Sequence, residues 1–350
     1  MGRSLRALGA APIVAAERGW VPDGLIRAGI RARVARRSAR EAARSDADIA
    51  AGRAKLAAGP VAIGTDDANA QHYEVPPGFF AATLGPRLKY SCCQWDTGAT
   101  TLGAAEEHSL RLVCERADIK DGMRVLDLGC GWGSLSLWIA EHFPRSEVTA
   151  ISNSTPQGEW IRSRCSEGGL TNVTHEVAEI GSYTTVERFD RVTSVEMLEH
   201  VRNWPELLFR VGTWLAPGGR LFVHVFCHRR STYVFDAEQP GEWMARSFFT
   251  GGMMPGFGHV EHSLTNLTLE RRWRVSGTHY QRTADAWLDE LDANRDAALG
   301  ALGDKASANA GPWLNRWRIF HMAVSELFGF ADGREWFVAH YRLAPEGGPA

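Results

Sequence analysis

Between Arg124 and His224 short apolar runs recur along the chain: Arg124–Leu128, Glu147–Ser152, Val173–Val177, Phe189–Val195 and Arg220–His224. Each is too short for a helix and is bounded by turn residues, so each reads as a strand. Helical patterns lie between them. Leu135, Leu137, Ile139 and Ala140 follow the first strand, and Glu206–Leu215 precedes the fifth, stopped by Ala216-Pro217-Gly218-Gly219. Such alternation predicts a parallel sheet with crossover helices. Residues 1 to about 85 read as helical, with breaks at Gly59-Pro60 and Pro76-Pro77-Gly78. Residues 225 to about 275 interrupt the alternation with Gly, Pro, Met and aromatic residues. A segment inserted beyond a strand's C-terminal end predicts a lid. The pattern then predicts a strand over 272–278, helices over 283–298 and 313–328, a surface loop over 298–311, and a last strand at Trp336–Leu343.

The composition adds few constraints. A hydrophobic fraction of 44% and a charged fraction of 23% are those of a globular chain. Lys and Arg number 39 against 41 Asp and Glu, a balance that excludes a general nucleic-acid binder. Locally the charge is uneven, with ten Arg and three acidic residues in the first 44. That stretch reads as a membrane-surface helix, a targeting peptide or a cap helix, the last because Leu25, Ile26, Ile30 and Val34 fall near helical spacing. No apolar run is long enough for a transmembrane span. Six cysteines without a secretory signal imply reduced thiols and a cytoplasmic setting, and their spacing fits no zinc or other metal site.

The chemistry concentrates around Val125-Leu-Asp-Leu-Gly-Cys-Gly-Trp-Gly-Ser134, which reads as strand, glycine turn, helix. Gly129, Gly131 and Gly133 let the backbone bend against a ligand, and the peptide N–H groups of the following helix face it. The spacing is not that of the dinucleotide fingerprint, and no Lys-Ser/Thr pair follows, so a phosphate loop is excluded. Asp127, just before the first glycine, suits an amino-acid ammonium. In an open sheet of this kind the ligand lies beyond the C-terminal strand ends. There the chain places Ser152, Asn153 and Gln157 for ribose hydroxyls, then Ala178, Glu179 and Ile180 for an adenine edge. Val195-Glu-Met-Leu-Glu-His200 follows the fourth strand, and His224 ends the fifth. Together these groups point to a pocket for S-adenosylmethionine (SAM).

Longer motifs support a resemblance. Tyr90-Ser-Cys-Cys93, the glycine turn, Phe189-Asp-Arg-Val-Thr-Ser-Val-Glu-Met-Leu-Glu-His-Val201 and His279-Tyr280-x-x-Thr283-x-x-x-Trp287 are similar to the cyclopropane fatty acid synthase superfamily of SAM-dependent methyltransferases. Phe222-Val-His-Val-Phe-Cys-His228, Trp243-Met-Ala-Arg-x-Phe-Phe-Thr-Gly-Gly-x-Met-Pro255 and Trp317-Arg-x-Phe-x-Met-Ala-x-x-Glu-Leu-Phe-Gly329 resemble its coclaurine N-methyltransferase-like branch, as does the run from Tyr73-Glu-Val-Pro to Lys89-Tyr-Ser-Cys92. The likeness spans roughly residues 20–345. It implies an α/β fold of the class I Rossmann-like methyltransferase type: a mostly parallel seven-stranded sheet with a reversed last strand, a helical N-terminal cap over 1–85, and a methyltransferase domain over 86–350 carrying the lid. It also implies that Tyr90, Ser91, Gly129, Ser152, Asn153, Gln157, Glu179 and Ile180 contact SAM, with Asp127, Gly131 and Val195 beside them; Glu179 stands where Asp is more usual.

The branch decides the expected chemistry. In the lipid synthases a bound bicarbonate removes a proton, and Cys92, Glu199, His224 and Tyr280 match its cage. Those synthases usually carry a small residue where this chain has Glu196. Coclaurine-type enzymes carry Glu there and use it with the following Glu-His on an amine. The resemblance therefore implies N-methylation of a small-molecule amine, with Glu199 and His200 as the base pair and Glu196 orienting the amine. Its alternative is a cyclopropane-fatty-acyl-phospholipid synthase acting on an acyl lipid. A non-catalytic SAM-binding protein and transfer to oxygen or carbon are further readings. Trp243, Phe248, Phe249, Trp313 and Trp336 are candidates to wall the acceptor pocket or to pack the core. The amphipathic N-terminal helices could pair two subunits into a homodimer. No nucleic-acid partner and no stable membrane insertion are expected.

Overall fold

The computed structural model describes residues 12–63, 75–96, 98–238, 242–302 and 310–347. Five parallel strands build the sheet's first half: β1 (Arg124–Leu128), β2 (Glu147–Ser152), β3 (Val173–Val177), β4 (Phe189–Val195) and β5 (Leu215–His228). A separate two-stranded pair, β6 (Tyr233–Val234) and β7 (Met253–Met254), lies in the insertion, and β8 (Leu267–Val275) and β9 (Trp336–Pro345) complete the large sheet. Its order is β3-β2-β1-β4-β5-β9-β8, and β9 runs antiparallel to both neighbours, the reversed last strand. The order reverses between β1 and β4, which opens a crevice at their C-terminal ends.

The helices are a short one over 12–17 (α1), α2 (Asp23–Ala42), α3 (Asp46–Ala57), α4 (Pro77–Thr83), α5 (Leu102–Ala117), α6 (Ser134–His142), α7 (Thr155–Gly168), α8 (Trp204–Trp214), α9 (Trp243–Ser247), α10 (Gly277–Ala293), α11 (Arg295–Ala301) and α12 (Ala310–Gly329). The first four fall in the stretch 1–85 expected as a cap; residues 1–11 and 64–74 of that stretch, Tyr73 and Glu74 among them, lie outside the described residues. The arginine-rich stretch ties these helices to later parts of the chain. Arg27 pairs with Asp285 and Glu326, Arg37 with Glu242 of the insertion, and Arg318 of α12 reaches back to Asp23. Among the described residues no helix is long and apolar enough to cross a membrane.

Several boundaries differ from the sequence reading. The turn signal Ala216-Pro217-Gly218-Gly219 does not precede β5 but bulges inside it, since Leu215 already pairs with Phe189 before the register shifts. The segment expected as a lid over 225–275 is strand at both ends. Its first residues continue β5 to His228, paired with Trp336, and its last nine form edge strand β8. The strand expected over 272–278 ends at Val275, because the Ser276 side chain accepts the N–H of Thr278 and starts α10 there. The loop expected over 298–311 is helical at its start, to Ala301, and at Ala310, where α12 begins; residues 303–309 lie outside the described residues.

Candidate active site

The glycine turn after β1 adopts the backbone its residues permit: Gly129, Gly131 and Gly133 have φ of 76°, 54° and 79°. A Cβ on Gly129 would stand 2.4 Å from Met197 Cγ, whereas one on Gly131 would meet nothing within 4 Å. The turn therefore packs on one side and opens on the other into a cleft of about 1170 Å³, its mouth included. Tyr90, Ser91, Asp127, Gly129, Gly131, Ser152, Asn153, Gln157, Ile180 and Val195 all line it. Glu179 stands just outside, where its carboxylate accepts from the Asn153 side chain at 3.4 Å. Asp127 is anchored: its oxygens accept from Ser136 (2.7 Å) and Thr193 (3.0 Å), and burial raises its pKa to about 6.

Among the described residues, three buried polar atoms on the cleft wall have no protein partner: Trp132 Nε1, Ser134 Oγ and Gln157 Nε2. Unpaired polar groups at one cavity mark a place where a ligand completes the bonding. A nucleoside with hydroxyls, ring nitrogens and a zwitterionic tail fits that set, so the residues suit SAM. Lys89 also lines the cleft, buried, its ammonium donating to Ser91 Oγ at 2.7 Å and the Cys92 carbonyl at 2.6 Å. Lys89 is not among the site residues the sequence predicts; its place directly before an aromatic–Ser–Cys turn is the signal that could have found it.

Glu196 closes the far end. It follows β4 with φ of 50°, a left-handed backbone that costs a non-glycine residue about 1–2 kcal/mol. That bend turns its carboxylate into the space between β5, α10 and the segment after Lys89. Oε1 accepts the Cys92 peptide N–H at 2.8 Å and faces His224 Nε2 at 3.0 Å, while Oε2 accepts the Tyr280 hydroxyl at 2.6 Å. The pocket expected to hold a bicarbonate-like ion among Cys92, His224 and Tyr280 is thus filled by the chain's own carboxylate. Cys92 enters through its backbone. Its thiol points to the Cys93 carbonyl and is held protonated by burial.

The His279–Trp287 motif explains itself in the same place. His279 Nδ1 accepts the Trp95 N–H at 3.0 Å, and Thr283 Oγ1 accepts the Cys93 N–H at 3.1 Å and the Trp95 indole at 3.0 Å. α10 thereby holds the Tyr90–Trp95 segment against the cleft.

Glu196 and His200 reach the cleft wall; Glu199 does not. Glu199 is wholly buried behind them, one oxygen accepting the Phe226 N–H at 2.8 Å and the other without a partner among the described residues. Burial, then the charge of Glu196, pushes its pKa well above the carboxylate range. Burial also raises Glu196, against the bonds that Tyr280 and Cys92 donate to its charged form. His200 is pushed down to about 4 by burial, so its imidazole is neutral at working pH, and its ring stacks on Phe249 of the insertion (centroids 5.1 Å, planes 12°). Of the other aromatic candidates, Phe248 and Trp336 are core, and Trp243 and Trp313 flank a separate groove beside α1.

Comparison with known proteins places the chain in a family. The mycolic acid cyclopropane synthetase family matches residues 64–329. (S)-coclaurine N-methyltransferase of Thalictrum flavum subsp. glaucum is 36% identical over 77% of this chain and 76% of its own, and that of Papaver somniferum is 35% identical over 77% and 78%. A crystal structure of coclaurine N-methyltransferase bound to N-methylheliamine and SAH superposes with a TM-score of 0.91 at 31% identity, covering 96% of this chain and 99% of that one. The chain belongs to the mycolic acid cyclopropane synthetase family, in its coclaurine N-methyltransferase-like branch, and is a SAM-dependent methyltransferase.

Proposed function

We propose that this enzyme methylates the nitrogen of a small amine. The observation that carries the reading is the buried Glu196 carboxylate inside the cage of Cys92, His224 and Tyr280. A lipid synthase of this family would need that cage free for bicarbonate. Here a fixed anion sits in it and lines the cleft, where it attracts a cationic acceptor.

An ammonium ion has no lone pair, so it must lose a proton before it can react. The ammonium docks on the Glu196 carboxylate, which the Cys92 N–H and the Tyr280 hydroxyl hold in place beside His224. His200, neutral because it is buried and lining the cleft beside Glu196, takes the proton on a ring nitrogen and becomes imidazolium. The nitrogen lone pair is then exposed to the cleft. SAM, when bound along the glycine turn, supplies a methyl carbon activated by its sulfonium, so alignment is the protein's remaining task. Glu199 acts from behind as a neutral carboxyl that keeps a second negative charge away from Glu196. Phe249, stacked on His200, holds that ring in place.

The test is a panel of isoquinolines, phenylethylamines and phospholipids incubated with labelled SAM, with products identified by mass. An N-methylated amine, and no added CH₂ in the lipid fraction, is the expected result. Label confined to the lipids would reject the amine reading.

A further inference from the structure

Behind Glu196 a file of side chains leaves the cleft and crosses the sheet. His224 Nε2 lies 3.0 Å from Glu196 Oε1, and His224 Nδ1 lies 3.0 Å from His340 Nε2. His340 Nδ1 in turn lies 2.7 Å from the Arg116 guanidinium. The two histidines are register partners on β5 and β9, 3% and 1% exposed, and Arg116 sits half-buried in the last turn of α5, its guanidinium 5.2 Å from the centre of the Trp273 ring. Neither His340 nor Arg116 lines the cleft.

The direction of this file is forced from its outer end. A guanidinium carries only donors. His340 Nδ1 must therefore be bare, and a neutral His340 carries its proton on Nε2. That N–H points at His224 Nδ1, which must also be bare, so His224 carries its proton on Nε2 and donates to Glu196. Burial, with Arg116 and Lys89 nearby, keeps both rings neutral. Were either ring in the other tautomer, a lone pair would face the Glu196 carboxylate in place of a donor.

We infer that Arg116 is a positioning residue: acting through His340 and His224, it fixes both histidine tautomers so that Glu196 always receives an N–H. Glu196 then stays an oriented carboxylate. The consequence for turnover rests on the amine reading above; the tautomers themselves do not.

The experiment labels the histidines with ¹⁵N and reads their tautomers in the full-length enzyme with SAH bound, assigning His224 and His340 from the His224→Asn and His340→Asn variants. Both rings in the wild type should be neutral and protonated on Nε2. An Nδ1–H on either ring overturns the inference, whether or not any variant folds. Arg116→Lys keeps a donor-only cation and should keep both tautomers, with kcat within about twofold. Arg116→Met removes the donor; the Nε2–H pattern should break down at His340 and His224. With the acceptor that the panel identifies, its kcat should fall about 10–100-fold, the worth of one charge-assisted hydrogen bond, while KM and SAH affinity move little. A Met variant that keeps the tautomers, or loses them with kcat unchanged, rejects the role of Arg116. Failure of every amine in the panel would instead remove the proposed reaction and leave the tautomer result standing.

Discussion

Glu196 spends backbone strain to place a charge. Its φ of 50° swings a carboxylate into a space that burial makes hostile to it, and three donors offset that cost. Replacing it by Gln leaves the volume but sets an amide N–H₂ against either the Cys92–His224 pair or Tyr280. Glu196→Gln should lower kcat with the amine acceptor by about 10²-fold or more, in the range of general acid–base losses, with SAH affinity by calorimetry nearly unchanged. Equal losses in kcat and SAH affinity would instead place Glu196 in the cofactor site. The residue identities of this site were largely legible in the chain, because strand ends in an open sheet must carry the ligand contacts. What could not be read was orientation. The same letters Glu196 and Glu199 give one wall carboxylate and one hidden acid, and only the left-handed turn at Glu196 separates them. Nor could spacing reveal that Cys92 acts through its peptide, or that His340 and Arg116 stand behind His224.

At the scale of elements, β1 to β4 match the sequence reading at both ends, because each apolar run stops at a polar or glycine turn that cannot extend the ladder. The reading fails where tertiary pairing overrides local signals. β5 runs through its Pro-Gly-Gly turn as a bulge and on to His228, since β9 pairs along that whole length. β8 escaped recognition over its first five residues: as an edge strand it is studded with Glu270, Arg271, Arg272 and Arg274, which keep other chains from pairing there. The start of α10 is the junction on which the site depends. A Cβ on Gly277 would stand 2.1 Å from the Trp336 carbonyl and 2.3 Å from that of Phe328. Gly277→Ala must therefore push α10 away from β9, and α10 carries both Tyr280 and Thr283. Overpacking of this kind costs about 1–3 kcal/mol. Urea unfolding should register that loss together with a drop in turnover, and a variant with wild-type stability and activity would show that this junction yields without moving Tyr280.

For the whole molecule, burial of ionisable groups sets how stability responds to pH, and the two kinds of group pull in opposite directions. Burial raises Glu106 to about 7 and Asp127 to about 6, so their contribution is complete below the unfolded carboxylate range and is lost as pH rises through those values. Burial lowers His200 to about 4, and His259 and His321 to about 3. The unfolded chain protonates these rings near 6.5 while the fold refuses the proton, so their contribution is complete above 6.5 and is lost as pH falls toward the folded values. His321 isolates the effect. It is wholly buried among Trp287, Trp317 and Phe320, and neither ring nitrogen has a partner among the described residues. His321→Phe removes two orphaned polar atoms from an aromatic cluster, a gain of about 1–3 kcal/mol at neutral pH. Below pH 6.5 the advantage should widen by up to about 1.4 kcal/mol per pH unit, because only the wild type still carries an imidazole that unfolding lets protonate. Urea midpoints for both proteins at pH 7.5 and 5.5 measure that widening. A stability difference that stays constant between the two pH values would mean that His321 is already protonated, or already solvated, in the folded enzyme.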